Sequence, residues 1–204
     1  MIRVAREGLL ERGAFLVRGA ECALRERKTE PGIGGSSRNG DRPFEELARA
    51  AGCLPDGSGY FRARIRGAMS LDLDWRNGEL ECEGGARAGG GLRLSFTGPL
   101  ASGRRLRLVL GASEPATGGK VWQAIPTNLT VIVEGAQRLF ATRGDDKCTM
   151  DSLRLEPLRG ERSAPRVYRA VARGFCTAPA SGITRNERIV VTQFDFAGRI
   201  VFDR

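Results

Sequence analysis

From Tyr60 onward the apolar residues fall on alternate positions: Phe61, Ala63 and Ile65 in one stretch, Leu92, Leu94 and Phe96 in another, Leu106, Leu108 and Leu110 in a third. A period of two is the signature of strands buried on one face. It predicts strands at 60–67, 69–75, 79–83, 92–97, 104–110, 128–134, 138–142, 149–156, 167–176, 188–196 and 199–202. Turn signals such as Asn77-Gly78, Glu134-Gly135 and Ala197-Gly198 separate them. Short strands at this spacing predict an all-β fold, an antiparallel β-sandwich or barrel-like domain over residues 59–204.

Residues 1–58 lack that alternation. The run "TEPGIGGSSRNGDRP" is a loop signal, and Asp41 stands as an N-cap ahead of Glu45 and Glu46, with Gly52 as a stop. The pattern predicts a flexible, poorly ordered segment holding one short helix at 42–51.

The stretch Leu71 to Gly85 sets the first problem in register. A two-residue hairpin at Asn77-Gly78 pairs Trp75 with Leu80, Asp74 with Glu81, Leu73 with Cys82 and Asp72 with Glu83. The apolar members then face inward, and facing carboxylates outside require counter-charges or a cation. Arginines of the neighbouring strands supply the charge: Arg62, Arg64 and Arg66 on one flank, Arg93, Arg105 and Arg107 on the other. The expectation is therefore a charge-balanced surface rather than a metal site.

Charge enters the picture mainly through its distribution. The net charge is +9, and thirty of the thirty-three basic residues are Arg, a skew that points to coding bias in a GC-rich genome. Residues 1–58 carry ten basic against nine acidic residues, and 59–204 carry twenty-three against fifteen, so the excess belongs to the β-rich part. Such a field attracts nucleic acid, acidic glycan or lipid head groups at low salt. The same six arginines form the candidate polyanion surface.

The chain has no histidine. Ser-His and Cys-His nucleophilic systems and HExxH zinc sites are thereby excluded within it. Its five cysteines, at 22, 53, 82, 148 and 176, show no CxxC or CxH spacing for a structural zinc. Cys148 and Cys176 fall at the ends of neighbouring expected strands and predict a disulfide, the alternative being two buried thiols in a reducing compartment. Cys82 reads as a core residue with Cys53 as its only sensible partner. Cys53 has a second reading as a lipidation site, because "ARAAGC" followed by "LPDGSG" resembles the end of a lipoprotein signal, although "DRPFEELAR" lacks the apolar region such a signal needs.

Two further groups bear on chemistry. Asp145, Asp146 and Asp151 gather carboxylates in "TRGDDKCTMD", weak candidates for a hard cation or for a carboxylate-based hydrolase; the spacing is not that of an EF-hand, and a solvated turn is the simpler reading. Trp122, with Lys120 and Gln123, lies in a long expected connection, Gly111 to Asn128, the type of segment where binding residues sit. No apolar run approaches the roughly 18–20 residues of a membrane-spanning helix.

The reading that follows is a non-catalytic β-rich binding or structural protein of the bacterial cell envelope or secreted, needing no cofactor, periplasmic or secreted and open to lipid anchoring. A polyanion binder of nucleic acid, acidic glycan or lipid comes second, a carboxylate-based hydrolase third, and a cytoplasmic location is the alternative.

Overall fold

The computed structural model describes residues 52–113, 121–158 and 166–202. The helix expected at 42–51, the segment before it and Lys120 lie outside the described residues. Eleven strands follow one another: β1 (Tyr60–Gly67), β2 (Leu71–Arg76), β3 (Glu81–Ala86), β4 (Leu92–Pro99), β5 (Arg105–Ala112), β6 (Val121–Val133), β7 (Arg138–Ala141), β8 (Cys148–Pro157), β9 (Arg166–Cys176), β10 (Ala180–Gly182) and β11 (Arg188–Phe202). All pair antiparallel in one sheet, and no helix occurs among the described residues.

The order runs β2-β1-β11-β10-β7-β6-β5-β4-β3, with β8 joining β6 to β9 and β9 joining β11. The long strands β6 and β11 each take two partners in succession along one side. β6 pairs with β8 over Val121–Thr127 and with β7 over Thr130–Val133. β11 meets β10 at Arg188–Ile189 and β9 over Phe194–Phe202.

Alternation decides which residues are buried. Phe61, Ile65, Leu92, Leu94, Phe96, Leu106, Leu108, Leu110, Val131 and Phe196 are all fully buried. Each large apolar side chain so placed stabilises by about 1.5–3 kcal/mol. Phe61 and Phe96 meet at 4.8 Å between ring centres, and Phe96 and Phe196 at 4.7 Å, so strands from both ends of the sheet order share one aromatic centre.

Two close approaches bring those ends together. The indole of Trp75 on β2 lies over Gly98 of β4 where a side chain would otherwise stand, and its Nε1 donates to the Pro99 carbonyl at 2.9 Å. On β3, a Cβ at Gly84 would sit 2.7 Å from the Arg199 carbonyl oxygen of β11, so only glycine admits that backbone.

The Asn77-Gly78 hairpin is overturned. β2 pairs with β1 and β3 with β4, at opposite ends of the sheet order. A type I′ hairpin turn needs positive φ at both central residues, and neither Asn77 nor Gly78 has it. Asn77 instead holds the chain ahead of β1: its side-chain oxygen accepts from the amides of Leu54 (2.7 Å) and Gly59 (3.0 Å), and its carbonyl accepts from the Cys53 amide (3.2 Å). Those bonds make residues 53–59 part of the packed structure, with Cys53 and Leu54 buried, ahead of the expected boundary at 58/59.

Three other boundaries moved. Ala197-Gly198 is no turn, and the two strands expected there are the single β11. β10 was hidden inside a turn signal. The expected connection up to Asn128 is strand from Val121 on.

Candidate binding surface

Both disulfides join pairs the sequence had brought into question. Cys148 and Cys176 face each other in register across β8 and β9 and are bonded. Cys53 is bonded to Cys82, linking the strap before β1 to edge strand β3. The lipidation read for Cys53 is therefore corrected: its sulfur is buried and already bonded, leaving no thiol to acylate or alkylate.

The outward positions of the sheet sort into two separate arginine groups. On β1 and β2, Arg62 reaches the carboxylate of Asp74 at 2.9 Å and Arg66 that of Asp72 at 2.7 Å, as cross-strand register allows. Toward the other end of the sheet, Arg105 meets Glu81 at 3.0 Å and Arg107 meets Glu134 at 3.0 Å. The two carboxylate rows expected to face each other are thus on different edges, each balanced by its own arginines. The six arginines expected as one polyanion surface are divided accordingly, with Arg93, Arg105 and Arg107 on β4 and β5 and Arg62, Arg64 and Arg66 on β1.

The β1 group lines a depression of about 550 Å³ together with Asp72, Asp74 and Gln193. Its neighbour in register is Asp195 of β11, opposite Arg62. Tyr60 Oη donates to Asp195 at 2.8 Å, and the Arg62 guanidinium lies 5.0 Å from the Tyr60 ring centre. Partial burial, reinforced by the bond to Asp195, pushes the Tyr60 phenol above its ordinary value.

A second depression, about 660 Å³, lies at the junction of β3 and β11. Glu79, Glu81, Glu83, Arg105 and Arg199 line it beside the Cys53–Cys82 bond. The Nε of Arg199 is buried there without a hydrogen-bond partner.

The aspartates expected as cation or hydrolase candidates do not converge. Asp145 takes an ion pair from Arg87 at 3.1 Å and a hydrogen bond from the Asn128 amide. Those two donors, the Arg87 bond foremost, hold its carboxyl below the usual range. Asp146 pairs with Lys147, and Asp151 is an exposed residue of β8. Among the described residues no group of three or more potential ligands is placed to hold a metal ion.

Gln123 is exposed on β6, and Trp122 pairs in register with Leu153 of β8, so this pair belongs to a strand and not to a binding loop. The next residue, Ala124, is the one non-glycine with positive φ among the described residues, at 54°. The alternating pattern carried no sign of it.

No family model, curated protein or solved structure matches the chain.

Proposed function

We propose that this chain is a non-catalytic β-rich binding or structural module that works outside the cytoplasm, periplasmic or secreted. The observation that carries the reading is the pair of disulfides, Cys53–Cys82 and Cys148–Cys176. Disulfides persist in oxidising compartments and are rare where thiols are kept reduced. Rolling of the sheet until β3 reaches β11 and Trp75 reaches β4 supports a barrel-like description of the scaffold.

Support for binding rather than catalysis comes from how the carboxylates are engaged. Asp72, Asp74, Asp145 and Glu81 each hold an arginine at the surface. General acid and base work needs instead a carboxyl free to exchange its proton with a substrate.

Intact mass of the protein from its native host, unreduced and treated with an alkylating reagent, tests the proposal. Four protected cysteines and alkylation confined to Cys22 are expected. Alkylation of all five would overturn it.

A further inference from the structure

β1 pairs with β11 over Ile189–Ala197 and β9 over Phe194–Phe202, on its two sides, and they carry Arg62, Arg64, Arg66, Arg166, Arg169 and Arg173 without a single acid between them. Three of these guanidiniums are engaged, by Asp74, Asp72 and Glu156. The other three, Arg64, Arg166 and Arg173, are exposed and form no ion pair among the described residues, and Arg64 and Arg173 are the two that share a face, beside Gln193 and Asp195 of β11.

Each of these two arginines lies beside a β-bulge. Arg64 pairs with Gln193 at the step where Thr192 is the extra residue of β11. Arg173 pairs with Ser152 at the step where Asp151 is the extra residue of β8. A bulge adds a residue to one strand and re-aims its side chains, and bulges concentrate beside functional sites. Thr192 and Gln193 are consequently both exposed; Thr192 Oγ1 donates to the Arg64 carbonyl at 3.4 Å, and Gln193 lines the 550 Å³ depression beside Arg64. In the row between, Asp195 is already the acceptor of Tyr60. The surface thus offers two guanidiniums outside any ion pair, on either side of β11 and about 12 Å apart from strand spacing and rise; the carboxylates in register with them, Asp72 and Asp195, are engaged by Arg66 and Tyr60, and amide and hydroxyl groups lie beside them.

We infer that this face binds an anionic polysaccharide. Arg64 and Arg173 hold successive carboxylate or sulfate groups, and Gln193, Thr192 and Ser152 hydrogen-bond the sugar hydroxyls. The separation of the cations suits charges one disaccharide apart. Single-stranded nucleic acid fits this face less well, because its binding draws on successive aromatic platforms for stacking, and beside Tyr60, half-buried beneath Arg62, the face offers one exposed ring, Phe175, two residues from Arg173 on β9. The inference rests on the chain working outside the cytoplasm.

The test uses the full, oxidised protein with heparin, polygalacturonate and a single-stranded DNA of matched charge, titrated between 50 and 200 mM salt. The double variant R64A/R173A is expected to bind heparin at least tenfold more weakly, with a log–log salt slope shallower by about 2. R104A/R143A removes the same charge from exposed arginines elsewhere and is expected to change affinity less than twofold. Equal loss in both double variants would overturn the site, as would failure of the parent to bind either polysaccharide at physiological salt. Tighter binding of the DNA would overturn the glycan assignment. Binding of polygalacturonate shows that carboxylates suffice, and binding of heparin alone that sulfates are needed. The thiol count of the native protein judges the compartment separately, so a reduced protein and a non-binding oxidised one are different results.

Discussion

The two disulfides close loops of almost the same length, 29 residues apart in one case and 28 in the other, yet they join different kinds of neighbour. Cys148–Cys176 lies across strands that already share a ladder from Cys148 to Pro157. Cys53–Cys82 lies where no ladder exists, between the strap before β1 and an edge strand that reaches β11 through a glycine. In the chain-entropy picture each bond stabilises by about 3.6 kcal/mol, because the loops are equal. The difference is in what holds on after the bond is gone: one site keeps its backbone hydrogen bonds, and the other keeps Asn77 and packing.

Removing both bonds gives the largest expected effect. Alanine at all four positions is expected to cost about 7 kcal/mol, within the range of a domain's whole stability, and to leave the chain unfolded by circular dichroism. Separate removal sharpens the contrast. C148A/C176A is expected to keep slow amide exchange along β8 and β9, whereas C53A/C82A raises exchange at 53–59 and along β3. Equal exchange patterns in the two double variants would erase the distinction.

Packing at the unladdered junction comes next. Trp75→Ala removes the indole from Gly98 and the bond to Pro99, and is expected to cost about 3–5 kcal/mol in denaturant unfolding. Asn77→Ala takes away the side-chain acceptor shared by two backbone amides and should cost about 2–3 kcal/mol, with rising exchange at Leu54 and Gly59 as the local readout.

Smaller effects are expected elsewhere. On the laddered side, Ala124→Gly relieves a left-handed backbone and is expected to stabilise by about 1 kcal/mol. At the strap side, the raised Tyr60 value makes the neutral phenol the form favoured by folding. That contribution is complete below the ordinary 10.0 and is lost as pH rises through the folded value. Phenolate absorbance against pH, with Tyr60→Phe to assign the transition, checks both the direction and the loss of alkaline sensitivity.

Much of this fold was legible because side-chain period and burial are the same physical fact in a strand. β1 was placed residue for residue, and the inward set of β4 and β5 follows from Leu-x-Leu spacing. Even the bulges leave a trace. Apolar positions run Ile189, Val191, then Phe194 and Phe196, slipping one step at Thr192-Gln193 where the register shifts. Partner choice was not legible. Asn77-Gly78 carries hairpin chemistry, but its amide was needed by Leu54 and Gly59, and no local pattern announces a bond across 23 residues. Cys82 was rightly placed inward although the pairing used to place it was wrong, because parity along a strand does not depend on which neighbour it has. Of the binding face, the arginines of β1 were visible; Arg173 was not, because its adjacency to β11 arises only from the sheet order.

β11 is the latest strand in chain order, and it is also the partner of β1, β9 and β10. Tyr60 waits for Ala197, and Gly67 for Ile189, so β1, paired early with β2 on one edge, has its other edge open until nearly the whole chain is available. Pairings this distant in sequence make folding slow, since a long loop must close before the contact that rewards it. An emerging β1–β2 ribbon therefore stays open along the edge that β11 covers until the last described strand is made, while β3 to β7 pair with neighbours in the chain.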